Sequence, residues 1–214
     1  LIEFLNPLGS DNAYYLDTGW VSADSTIELP NSSSIWIADK NTIGINEPVK
    51  LTWTSDQNIT FEKIITLDEN YLFSVDQRVI NNSGLSFDLY PYGLSKRQGI
   101  PEMQNFFILH EGPLSITDGV LEEYDYDDLK DDKKIKHSSV GGWIGMTDKY
   151  WQTAIIPNQN EPVQQTYSYS FVENIDNFQT DIVGERIAVS NNASISHNFK
   201  IFAGPKIVNI IDKY

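Results

Sequence analysis

Three histidines, His110, His137 and His197, are the side chains of this sequence best suited to acid–base or metal chemistry near neutral pH. Their spacing supplies neither. None is followed by a second His at i+4, and no His-Glu-x-x-His occurs, so the helical zinc pattern is absent. His110 ends an apolar run before Glu111-Gly112-Pro113. A catalytic base is one reading there; a histidine held by a structural hydrogen bond is the commoner one. Gly93-Leu94-Ser95-Lys96-Arg97 approaches a nucleophile elbow but lacks the second Gly. Walker and Gly-x-Gly-x-x-Gly phosphate loops are missing too. With no Cys in the chain, disulfide scaffolds and thiolate zinc sites are excluded.

The densest charge lies at 122–136, where Glu122, Glu123, Asp125, Asp127, Asp128, Asp131 and Asp132 are followed by Lys133, Lys134 and Lys136. Counted from Asp125, a calcium loop fails: position 6 is Lys130 rather than Gly, and position 12 is Lys136 rather than Glu. A solvated loop or hairpin tip is the plain reading of such a run. The functional reading is a docking loop in which Asp127, Asp128, Asp131 and Asp132 attract a basic protein partner. Asn31, Asn58, Asn81 and Asn192 stand in Asn-x-Ser/Thr sequences and are read as turn residues. No metal and no cofactor is expected.

The elements that must carry these residues are strands. Ile59, Phe61 and Ile65 share one face, as do Tyr71, Phe73, Val75 and Val79, while Ser74, Asp76 and Arg78 point the other way. Val49, Leu51 and Trp53 repeat the pattern, and so do Leu85, Phe87 and Leu89. A period of two marks half-buried antiparallel strands. Turn clusters at 56–58, 68–70 and 81–84 separate them. Further strands are predicted near 105–110, 114–123, 138–146, 150–156, 165–173, 179–190 and 194–203. Residues 6–48 are the least regular part. Many short, evenly spaced strands without an internal repeat or a linker argue for one all-β sandwich or barrel domain over 1–214. The 40% apolar content suffices for a core. A formal charge of −15 argues against nucleic acid or an anionic surface as partner.

One segment departs from the period of two. Ile207, Ile210, Ile211 and Tyr214 fall at i, i+3, i+4 and i+7, which predicts a short helix over 206–214 with Gly204-Pro205 at its start. Ile207, Ile210 and Ile211 are therefore a second candidate contact surface. No run reaches the roughly 18 apolar residues of a membrane span. The chain opens at Leu1 without Met or a leader, as a processed or excised piece does.

The most distinctive stretch is Gly141 to Pro157, with Gly141-Gly142-Trp143, Asp148-Lys149-Tyr150-Trp151 and Ile156-Pro157. It has no catalytic pattern and reads as structural, with both Trp residues largely buried and both Gly residues at a close backbone approach. It resembles the Gly-Gly-Trp…Asp-Lys-Tyr-Trp…Ile-Pro segment of the periplasmic domain of YidC-type membrane protein insertases, alphaproteobacterial members above all. Pro48 to Trp53, Asp68 to Phe73, Leu89 to Leu94, Phe107 to Pro113 and Ile201 to Lys206 are similar to that family as well. The resemblance implies a two-sheet antiparallel super-sandwich like galactose mutarotase, with the short C-terminal helix leading to a membrane helix. It implies a non-enzymatic periplasmic domain, its first strands incomplete, of a bacterial inner-membrane protein anchored by helices outside this chain. Implied partners are the Sec translocon or its accessory subunits and nascent membrane-protein segments; a spacer that positions the membrane helices is a further reading. The alternative is a carbohydrate-binding or sugar-epimerase-like sandwich, since the same fold hosts sugar epimerases.

Overall fold

A computed structural model describes residues 4–101 and 110–207. In chain order the strands are β1 (Tyr14–Val21), β2 (Ile37–Ala38), β3 (Val49–Thr54), β4 (Ile59–Leu67), β5 (Leu72–Asn81), β6 (Phe87–Gln98), β7 (Gly112–Thr117) and β8 (Val120–Glu123). Helix α1 (Tyr126–Asp132) comes next. Then follow β9 (Lys134–Val140), β10 (Trp143–Thr147), β11 (Trp151–Ile156), β12 (Pro162–Val172), β13 (Ile175–Gly184), β14 (Ile187–Val189) and β15 (Ser194–Pro205). They form two antiparallel sheets. Sheet A has the order β1-β6-β13-β12-β9, with β14 paired to the start of β6. Sheet B has the order β2-β3-β4-β5-β15-β11-β10-β7-β8. This is the all-β antiparallel architecture that the period of two predicts, in the two-sheet sandwich form that the family resemblance implies.

Two apolar clusters fill the space between the sheets. One gathers Ile144, Met146 and Ile155 of sheet B against Tyr167, Phe178 and Ile182 of sheet A. The other joins Ile59, Phe61 and Val79 to Trp20, Phe87 and Leu89. Strand geometry accounts for the pairing: alternate side chains point inward, and facing inner sides interdigitate.

Several boundaries differ from expectation. The strand expected near 105–110 lies, but for His110, outside the described residues. The segment 114–123 is a hairpin, because Asp118 (φ 47°) and Gly119 (φ 81°) adopt the two left-handed conformations of a tight turn. The segment 138–146 is two strands in different sheets, since Gly141 and Gly142 (φ 65° and 76°) turn the chain from sheet A to sheet B. A Cβ on Gly142 would lie 2.1 Å from the Ile116 carbonyl oxygen, and one on Gly141 2.5 Å from that of Gln159. The expected close approach is therefore present. Trp143 and Trp151, by contrast, are half-buried rather than enclosed. Trp143 sits on the outer face of sheet B beside Phe202 and Ile156. Trp151 stacks on Phe4 with 4.8 Å between centroids.

The irregular region 6–48 contains β1, the edge of sheet A. At the other end, Gly204 and Pro205 still pair with Gln152 and Trp151 as part of β15, so the chain is extended where the helix start is expected. Lys206 and Ile207 continue without helix; Ile210, Ile211 and Tyr214 lie outside the described residues. The helix among the described residues is α1, inside the run expected to be a loop. Tyr126 and Leu129, spaced i and i+3, are 1% and 0% exposed and pin α1 to the first cluster. Asn58 (φ 63°) and Asn192 (φ 58°) are left-handed turn residues, and the Asn31 and Asn81 side chains accept from the backbone N–H of Ser33 and Ser83.

Candidate functional site

The three histidines are held by three separate sets of neighbours. His110 Nε2 donates to the Pro113 carbonyl at 3.1 Å, with Asp125 3.7 Å from its Nδ1. His137 Nε2 shares a 2.8 Å hydrogen bond with the Tyr124 hydroxyl. His197 Nε2 donates to Glu161 at 3.0 Å. No group of three or more potential metal ligands occurs among the described residues. The structural reading of each histidine accounts for its contacts.

The four candidate aspartates are brought together by α1 and all are exposed. Their roles divide along the helix. Asp125 stands at the N-cap, and the Asp128 carboxylate accepts from its backbone N–H at 3.1 Å. Asp127 and Asp128 also lie in the first turn, where the positive end of the helix dipole favours carboxylates. Asp131 and Asp132 sit at the opposite end, where the dipole disfavours them. They are the carboxylates that helix formation does not explain, and so the better candidates for a partner. Ile207, the described member of the second candidate surface, is exposed.

Sequence reading missed a polar row inside the sandwich. Lys63 of β4 is opposite Gln77 of β5, and Gln77 is opposite His197 of β15. Each interrupts an apolar inner face. From sheet A, Asp17 and Thr18 meet the row: Lys63 Nζ donates to Asp17 Oδ1 at 3.2 Å and to the Thr18 carbonyl. The Tyr92 hydroxyl donates to Asp17 Oδ2 at 2.9 Å, and burial together with that carboxylate raises the tyrosine's pKa. Burial holds the His197 imidazole below its ordinary pKa, although Glu161 pulls the other way. Gln77 is 1% exposed, and neither atom of its amide has a protein partner. It lines a cavity of about 450 Å³ together with Asp17, Trp20, Trp36, Lys63 and Tyr92. Lys63 lies 5.3 Å from the Trp36 ring centroid. The available signal was the skipped position: on their apolar faces β4 breaks at Lys63 and β5 at Gln77.

A larger cleft of about 810 Å³ opens beside β1. Leu51, Ile65, Phe73 and Val75 of sheet B floor it where sheet A stops at its edge strand.

Fold and site together define a class: a galactose mutarotase-like super-sandwich whose three histidines have separate hydrogen-bond partners. Its neighbours among solved structures include a galactose mutarotase related enzyme from Lactobacillus acidophilus (TM-score 0.54, 10% identity, 80% of this chain and 73% of that one). A galactose mutarotase-like protein from Lactobacillus casei is similar as well (TM-score 0.52, 11% identity, 78% and 72%). At such identity the likeness concerns fold alone. The chain belongs to the YidC periplasmic domain family, whose model matches residues 1–214. It is 36% identical over 214 residues to a membrane protein insertase YidC of Rickettsia canadensis (strain McKiel). It is 38% identical over 215 residues to one of Pelagibacter ubique (strain HTCC1062). Each alignment covers 100% of this chain and 38% of the relative, so the chain spans well under half the length of these relatives.

Proposed function

We propose that this chain is the periplasmic domain of a bacterial inner-membrane insertase that inserts and folds membrane proteins, alone or beside the Sec translocon. The family match over the whole chain carries the reading. Within that protein the domain binds a protein partner or sets the position of the membrane helices, and takes no part in covalent chemistry. The exposed Asp131 and Asp132 at the C-terminal end of α1 support the binding role. Attraction of a basic partner there weakens as salt rises. The test is insertion of a model substrate by the whole protein, with and without this domain, and with Asp131→Lys plus Asp132→Lys. Loss of insertion on removal, with association lost at low salt in the double variant, supports partner binding. Unchanged insertion after removal overturns any requirement for the domain.

One observation favours a second reading, a small polar ligand such as a monosaccharide. Gln77, whose buried amide has no protein partner, is one of the residues around a cavity that Trp36, Asp17 and Lys63 also line. Buried amides without partners are costly, and two hydroxyls of a ligand reaching Gln77 would donate to Oε1 and accept from Nε2. Titration with galactose and glucose, followed by amide chemical shifts, tests it. Shifts confined to the cavity support a ligand site; none at high millimolar sugar removes it.

A further inference from the structure

The two sheets end together at one pole of the sandwich. Sheet A contributes the start of β1, the end of β6 and the β12–β13 turn; sheet B contributes the β10–β11 turn and the end of β15. Contacts across the gap fix this pole as a unit: Arg97 of β6 donates to Asp148 of the β10–β11 turn at 2.6 Å, and Lys206 Nζ donates to the Asp148 carbonyl. Both ends of the described chain lie here, since Phe4 stacks on Trp151 and Lys206 N–H donates to the Tyr150 carbonyl.

Large apolar side chains stand exposed on the turns of this same pole. Phe171, Val172 and Ile175 are 60%, 55% and 41% exposed at the β12–β13 turn, accompanied by Ile100, Tyr150 and Ile207. The turn is a two-residue hairpin with Glu173 and Asn174 both left-handed (φ 53° and 62°), which gives it a fixed shape. Asp176 at its base accepts from the Tyr169 hydroxyl at 2.8 Å and pairs with Lys130 of α1 at 3.0 Å. Single exposed apolar residues are ordinary, but several on the turns of one pole, three of them at one tight hairpin, are less so.

We propose that this pole rests on the bilayer, with Phe171, Val172 and Ile175 entering the lipid interface. The proposal rests on the membership of a membrane-insertase family, which supplies a membrane beside this domain. It deepens the positioning role by naming the surface that sets the domain's attitude. Exposed apolar turns suit a fluid interface, which needs no matching groove. Phe4 and Lys206 lie at the same pole as the apolar turns. The charges at this pole are of both signs, Glu173, Asp127 and Asp176 with Lys130, Lys149 and Lys206, so the apolar side chains carry the contact.

The absence of Cys makes the test direct. Val172→Cys at the turn and Leu85→Cys at the opposite pole are each labelled with an environment-sensitive nitrobenzoxadiazole dye. The chain is held on phosphatidylcholine vesicles through a C-terminal hexahistidine tag and a nickel-chelating lipid. The expected result is a blue shift and a severalfold rise in emission at position 172 only. Nitroxide lipid labelled high on the acyl chain quenches it, and neither phosphatidylglycerol nor added salt strengthens the signal. Adding Phe171→Ser and Ile175→Ser returns the dye to water without lowering the melting temperature. A dye at 172 that stays open to aqueous iodide on the vesicle overturns the proposal. So does a blue shift that needs no vesicles and grows with protein concentration, which assigns the turn to a second copy. Either outcome leaves the insertion assay of the whole protein unaffected, so failure here is distinct from failure of the insertase reading.

Discussion

Three glycine-to-alanine changes separate the two reasons for which this chain uses glycine. Gly84, in the β5–β6 turn, has φ 84°, and a Cβ added there would meet nothing within 4 Å, so Gly84→Ala meets conformational strain alone. That strain is about 1–2 kcal/mol, reduced by about 0.4–1 kcal/mol because alanine also restricts the unfolded chain. Gly145, in β10, is outside the left-handed region, but its Cβ would lie 1.8 Å from the Thr153 carbonyl oxygen. Gly145→Ala therefore meets overpacking against backbone, about 1–3 kcal/mol and toward the upper end, because no side chain can swing aside. Gly142 combines both, with φ 76° and 2.1 Å to the Ile116 carbonyl oxygen. The sum for Gly142→Ala is about 2–5 kcal/mol before the same unfolded-state reduction of about 0.4–1 kcal/mol, which applies to all three changes. Urea unfolding followed by tryptophan fluorescence reads the order as midpoint shifts with little change in slope. The expected order of loss is Gly84 least, Gly145 intermediate and Gly142 greatest. A loss at Gly142 no larger than at Gly84 refutes the claim that close approach of the two chain segments makes the crossing between sheets.

Trp143→Ala should cost roughly 1.5–2.5 kcal/mol, about half the value for an enclosed aromatic, because the ring lies on the outer face of sheet B; the same unfolding measurement checks it, and a loss near 4 kcal/mol would restore it to the core. For His197, burial places the folded pKa below the unfolded 6.5. The unfolded state then binds more protons between those two values, so stability is full above about pH 7 and falls as pH drops through that window. His197→Gln should flatten that part of a melting-temperature profile, and Glu161→Gln, which removes the group opposing the shift, should steepen it. An unchanged slope in both variants shows that His197 does not titrate differently on folding.

How much the sequence revealed followed the range of the interactions involved. Alternation is local, so β3, β4 and β5 were legible from residues 49–81 alone. The Gly141-Gly142 pair was legible as a close approach, but its consequence, a change of sheet, depends on where β7 and the 157–161 loop lie. β1 was hidden because its inward side, Tyr14, Leu16, Thr18 and Trp20, is broken by a polar residue at Thr18, and Asp17 and Gly19 flank that break. Within 122–136 the charge count outweighed a short signal, Asp125 three residues before Asp128 with Tyr126 and Leu129 at i and i+3, which is enough for one capped helix of two turns. The polar row was legible only as two skipped positions. That Lys63, Gln77 and His197 stand side by side is a matter of register between β4, β5 and β15, and register across some 120 residues of chain cannot be read from either end.

The distribution of rigidity bears on what the domain does for the protein that carries it. A binding module needs one well-shaped surface and tolerates slack elsewhere. A positioning module needs stiffness between the point that meets the membrane and the bulk of the fold. Here the β12–β13 turn is braced by Asp176 to Tyr169 and Lys130, and α1 is pinned in turn by Tyr126 and Leu129. At the same pole Arg97 joins the sheets, with 15% of its side chain exposed and Asp148 as its partner. A guanidinium so placed is expensive to leave unpaired, so Asp148 acts as a lock rather than a surface charge. Tilting the pole therefore moves both sheets as one body, and the acidic end of α1 with it. With α1 fixed in this frame, the partner binding proposed for Asp131 and Asp132 would depend on the attitude of the domain, so the two proposed roles share one frame.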